Sequence, residues 1–145
     1  MQRTVSYPIV ATALLSGLLL HAIRARADAE PLPQRLHETG LFVGPGTTID
    51  AKNHAFAPQY PLWSDGAGKR RWIYLPPGTA IDASNPDAWE FPVGTRLWKE
   101  FSLGRPIETR FIERLADGTW RFAAYVWNES GTDATLAPRE GTSVS

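Results

Sequence analysis

Between Thr95 and Trp127 the sequence TRLWKEFSLGRPIETRFIERLADGTWRFAAYVW alternates apolar and polar positions. A period of two is the mark of strands that bury one face. Asp117-Gly118 reads as a two-residue hairpin turn, because glycine accepts the positive φ such a turn needs. Leu115 opposite Trp120 then sets the register. One face carries Thr109, Phe111, Glu113 and Leu115 opposite Val126, Ala124, Phe122 and Trp120. It is mostly apolar and is the expected core face. The other carries Glu108, Arg110, Ile112 and Arg114 opposite Trp127, Tyr125, Ala123 and Arg121. A slip of one residue exchanges the two faces.

The strand before it, Thr95 to Leu103, joins through Gly104-Arg105-Pro106. With Leu103 opposite Ile107, the side chains of Leu97, Phe101 and Leu103 join the core face. Trp98 then meets Ile112, and Glu100 meets Arg110. In this register Arg96, Arg114 and Arg121 form one row across three strands. Like charges directly opposite one another are unfavourable, so carboxylates, solvent or an anionic ligand must offset them.

The remaining pattern is of short strands between Gly/Pro turns. Pro33 to Thr39 predicts a short helix with Gly40 as its stop. Leu41-Phe42-Val43 predicts a short strand, and Gly44 to Asn53 a loop. Ser64 to Gly68 is a glycine-rich turn, and Lys69 to Leu75 a strand with large residues on both faces. Thr79-Ala80-Ile81 predicts another short strand. A turn at Asn128 to Gly131 leads into a last one, Thr132 to Leu136. The sum predicts an all-β, antiparallel β-sandwich or open barrel built on the three-stranded meander, with a short N-terminal helix.

The N-terminus changes the picture of location. Arg3 precedes an apolar run, Ile9 to Leu20, and Ala25-Arg26-Ala27 is a small-x-small cleavage site. The run is short of the ~20 residues of an ordinary membrane span. Residues 1–27 therefore read as a signal peptide and 28–145 as one β-rich domain, with 28–33 and 138–145 flexible. The expected location is periplasmic or secreted, with no stable membrane span after cleavage; an uncleaved anchor is the alternative. The full chain carries 15 basic and 15 acidic side chains. Cleavage removes Arg3, Arg24 and Arg26 and no acid, leaving the domain mildly acidic. Nothing in this balance points to nucleic acid. The absence of cysteine excludes disulfides, thiolate metal sites, a nucleophilic thiol and the C-x-x-C-H attachment of c-type haem.

Catalytic patterns are missing. His37 and His54 lie in different segments with no ligand cluster, and a pair such as Asp50 and His54 falls short of the three or four ligands a metal needs. Ser64 lacks a base and is not in a G-x-S-x-G elbow. Asp65 fits a turn-capping role. Asp65, Glu90, Glu100 and Glu108 are available as acids, without a spacing that pairs them across a cleft.

The runs LPQRLHETGLF, YPLWSDGAGKRRWIYLPPGTAID, WEFPVGTRLWKEFSL, IETRFIERLADGTW and YVWNESGTDATLAP together resemble a group of bacterial exported c-type cytochrome-like proteins. The resemblance covers nearly all of the chain after the leader. It implies a module that precedes a haem-attachment sequence in a protein of extracytoplasmic electron transfer. This chain stops soon after TLAP, so only the upstream module is implied: as a truncated product, which the short tail after Pro138 favours, as a fragment split by a frameshift, or as a stand-alone module. Haem c is implied only for longer relatives; no cofactor is expected in this chain.

Two functions follow. The first is a non-catalytic module that docks or scaffolds a haem domain, with Arg96, Arg114 and Arg121 facing its acidic side chains or haem propionates. The alternative is a stand-alone module for a carbohydrate or other small ligand, using Trp98, Tyr125 and Trp127 on the charged face. Against the arginine row stands an internal network with Glu90, Glu113 or Asp117.

Overall fold

The computed structural model describes residues 31–60, 63 and 66–138. The expected leader, Ser64, Asp65 and the tail beyond Pro138 lie outside the described residues.

The described chain is all-β. Six strands form one antiparallel sheet in chain order: β1 (His54–Ala55), β2 (Gly68–Tyr74), β3 (Arg96–Leu103), β4 (Arg105–Arg114), β5 (Trp120–Trp127) and β6 (Ala134–Leu136). Neither a second sheet nor pairing of β1 with β6 is seen among the described residues. One face of the sheet is instead covered by the segment that precedes it. There a single 3-10 turn, Leu36–Thr39, replaces the expected helix. Four residues between an extended Arg35 and a left-handed Gly40 (φ 83°) are too few for an α-helix. Gly40 ends the turn as the sequence suggested. Phe42 makes only an isolated bridge to Ile49, and the segment Thr79–Ile81 forms no strand.

The core lies between this arm and the inner sheet face. It contains Leu36, Leu41 and Phe42 from the arm, with Trp72, Trp98, Phe111, Tyr125, Trp127 and Ala134 from the sheet. Each large side chain fully buried contributes roughly 1.5–3 kcal/mol by leaving water. Three of the four indole and phenol donors that go in with them bond to the arm or to a neighbouring strand. Trp98 Nε1 donates to Thr39 Oγ1 and Trp127 Nε1 to Thr109 Oγ1, both at 2.9 Å, and Tyr125 Oη donates to Pro33 O at 2.9 Å.

The register corrects the sequence reading by one residue at both hairpins. Leu115 pairs with Thr119, and Gly118 N donates back to Leu115 O at 2.9 Å. The loop is therefore three residues, Ala116-Asp117-Gly118, with Gly118 left-handed at φ 80°. Arg114 stands opposite Trp120, Glu113 opposite Arg121 and Phe111 opposite Ala123. The β3–β4 pair also differs, with Trp98 opposite Phe111 and Glu100 opposite Thr109. A register shift at Phe101/Ser102 lies beside Pro106, which has no N–H to give the ladder.

The faces of β4 hold as expected, with Thr109 and Phe111 inward. Those of β3 and β5 are exchanged. Trp98, Tyr125 and Trp127 are core, while Leu103 and Phe122 are exposed and Trp120 is on the outer face, half-buried against Phe91.

Candidate functional site

The expected arginine row does not form. Glu113 stands between Arg96 and Arg121 in the same cross-strand row, so the sequence of charges is cation, anion, cation. Arg96 Nε donates to Glu113 Oε1 at 3.1 Å, and Arg121 donates to Glu113 Oε2. Arg96 also reaches Thr39 O at 3.4 Å and lies over the Tyr74 ring. The internal network weighed against the row is what the structure contains. Arg114 sits apart, on the outer face, with its guanidinium 5.2 Å from the centre of the Trp120 ring.

The aromatic site is likewise dispersed. Trp98 is 1% exposed, Tyr125 fully buried and Trp127 nearly so. A sugar cannot stack on rings that are already packed under the arm. Burial also pushes the Tyr125 hydroxyl up to about 12. That keeps it neutral, as its bond to Pro33 O requires.

The acids that sequence left unplaced are paired or scattered. Glu100, expected opposite Arg110, faces inward and is held by Arg70, whose Nε and Nη2 both reach Oε1 at 2.9 and 2.8 Å. Glu108 accepts from Arg110 Nε at 2.7 Å on the outer face. Glu90 pairs its backbone with Asp82. His37 Nδ1 lies 3.1 Å from Asp133 Oδ2, which also meets Arg35; His54 is exposed at the β1 edge. Among the described residues no three His, Cys, Asp or Glu side chains gather as metal ligands, and no helix is long and apolar enough to cross a membrane.

What the corrected register does assemble is a different row. Arg71, Lys99 and Arg110 stand directly opposite one another on β2, β3 and β4, on the outer face. Arg71 and Lys99 meet no carboxylate among the described residues. Lys99 lies 4.7 Å and Arg110 4.8 Å from the Phe101 ring centre. Beside this row runs an apolar one, Ile73, Leu97, Ile112 and Phe122. Phe122 is 66% exposed and walls a shallow groove of about 320 Å³ with Arg110, Ile112 and Ala124. Desolvation, then the charges of Arg71, Lys69 and Arg110, hold the Lys99 amine below the ordinary lysine value.

Sequence reasoning missed this row because it assigned no partner to β2. The signal was there in the alternation of Lys69, Arg71 and Ile73, which places the cations opposite Trp72.

Comparison with family models, with curated proteins and with solved structures finds no match. What the coordinates define is a class of architecture: an open six-stranded antiparallel meander with one face covered by its own N-terminal arm.

Proposed function

We propose that this chain is a non-catalytic exported module that docks a haem-carrying domain of a cytochrome-like electron-transfer system. One observation carries the docking reading. The inner face is closed by the arm, while the outer face keeps an exposed Phe122 and a cationic row beside an apolar one. Exposed apolar surface rimmed by charge is the usual form of a protein–protein contact. The identity of the partner rests on the sequence resemblance.

The test is to take a haem domain from a longer chain that carries both these sequence runs and a C-x-x-C-H motif. Its affinity for the protein is measured at low ionic strength. A Kd in the micromolar range, about −8 kcal/mol, supports the reading. No association at millimolar concentration overturns it.

The carbohydrate reading loses its platform, since Trp98, Tyr125 and Trp127 are all interior.

A further inference from the structure

We infer that the outer sheet face is a binding surface for an acidic segment of a partner protein, whose carboxylates pair with Arg71, Lys99 and Arg110 while its apolar side chains cover Ile112 and Phe122. This deepens the docking proposal and rests on it for the face being an interface; it specifies the chemistry of whatever docks.

The argument begins with a cost. Three cations on adjacent strands, directly opposite, repel one another, by up to about 1 kcal/mol for each facing pair. Glu108 engages Arg110 alone. Of the other described carboxylates, Glu100 pairs with Arg70, Glu113 with Arg96 and Arg121, Asp133 with Arg35 and His37, and Asp50 with Lys52; none of the described acids forms an ion pair with Arg71 or Lys99. Arg71 and Lys99 are thus left open to carboxylates that a partner supplies.

The surroundings select the kind of anion. Neighbouring strands lie about 4.8 Å apart, so the row spans roughly 10 Å, a length matched by two or three carboxylates on one segment. The apolar row lies one residue pair along, on the same face, which suits a ligand that alternates acidic and apolar groups. Polyanions are less well served. The chain's formal net charge is zero, and three cations give little of the many-phosphate contact on which nucleic-acid binding depends.

The experiment uses the protein as the cell makes it and a fluorescent random copolymer of glutamate and tyrosine as the probe. Oligo-dT and phosphatidylglycerol vesicles serve as competing anions. Fluorescence anisotropy is read for the natural protein and for Arg71→Glu, Lys99→Glu and the double variant. The expected result is copolymer binding that each single reversal weakens roughly tenfold and salt weakens further. The melting temperature of Lys99→Glu should stay level or rise, because the reversal turns facing repulsions into attractions. Lost binding is thus separated from lost folding.

Absence of copolymer binding overturns the inference, as does binding that ignores both reversals. Capture of oligo-dT or vesicles as tightly as copolymer, through the same residues, overturns it too. The two proposals fail separately. A haem domain that docks regardless of Lys99→Glu removes this surface and leaves the docking reading. Copolymer that binds through the row, with no haem domain docking, does the reverse.

Discussion

Trp98 and Thr39, 59 residues apart, share a hydrogen bond of 2.9 Å from indole Nε1 to hydroxyl Oγ1. Thr39 in turn donates to Leu36 O at 2.7 Å, so the hydroxyl both closes the 3-10 turn and fixes it to the sheet. Thr39→Val keeps the shape and orphans a buried N–H. A loss of about 1–3 kcal/mol is expected, measured by chemical denaturation monitored through tryptophan fluorescence. A change below 0.5 kcal/mol, roughly the noise of such surface effects, would show the arm to be held by packing alone.

Glu113 neutralises two guanidiniums at once. Glu113→Gln should destabilise the domain by about 3 kcal/mol, because it leaves Arg96 and Arg121 on either side of a neutral side chain in a partly buried row. The companion Arg114→Gln should cost far less, since Arg114 rests on Trp120 and forms no ion pair among the described residues. Equal losses in the two variants would contradict the assigned register.

Gly40→Ala tests the stop of the arm's turn. Its φ of 83° is in the left-handed region, and an added Cβ would approach Arg96 Nη1 to 3.1 Å. The backbone term is about 1–2 kcal/mol. Because Arg96 Nη1 also reaches Thr39 O, the same change should loosen the Arg96–Glu113 pair. Native-state hydrogen exchange at Trp98 Nε1 should accelerate in this variant.

Tyr125 sets an alkaline limit. Its hydroxyl ionises near 12 in the folded chain, above the ordinary value of 10. The stability from keeping it neutral is fully present below pH 10 and is lost as pH rises from 10 towards 12. Ultraviolet titration should find one tyrosine ionising last and together with unfolding, and Tyr125→Phe should remove that step. A Tyr125 that ionises near pH 10 with the fold intact would contradict its burial.

At the acid end, Asp50, Asp82 and Asp117 each accept a backbone N–H two residues on, from Lys52, Ser84 and Thr119. The side-chain bonds from Lys52 and Thr119, followed by these backbone bonds, hold Asp50 and Asp117 below the usual aspartate value, and the backbone bond from Ser84 leads for Asp82. Their contribution is present above the unfolded-state value and disappears as pH falls through the folded one. Asp117→Ala should therefore destabilise the hairpin at pH 7 and do little at pH 2, by denaturant midpoint.

Much of the fold was legible because alternation survives without knowledge of pairing. The strands from Arg96 and Trp120 lie where the pattern put them, and β4 faces the way Thr109 and Phe111 demanded, although it begins at Arg105, inside the expected Gly104-Arg105-Pro106 turn. The faces of its neighbours were not legible. Asp117-Gly118 serves a two-residue and a three-residue loop equally well, since both need a positive φ at glycine. That single ambiguity decides whether Trp127 or Trp120 is interior. It also puts Arg121 opposite Glu113 and turns Tyr125 and Trp127 inward, while the separate one-residue shift of the β3–β4 pair brings Arg96 to Glu113 and turns Trp98 inward. Thr39 and Thr109, which satisfy the two indoles, carry no sequence signal, because a hydroxyl's partner is fixed by tertiary position.

The arm's last attachment has a consequence for where the two ends of the domain lie. Arg35 bridges Thr135, and Leu136 N donates to Gln34 O at 3.0 Å. The start of the arm and the closing strand β6 therefore run side by side. Chain entering before Gln34 and chain leaving after Leu136 meet the domain at one border. Such a unit behaves as a bead on a doubled thread. It can be spliced into a surface loop of a host protein with both junctions close together, and the host then stands off one border rather than across the bare sheet.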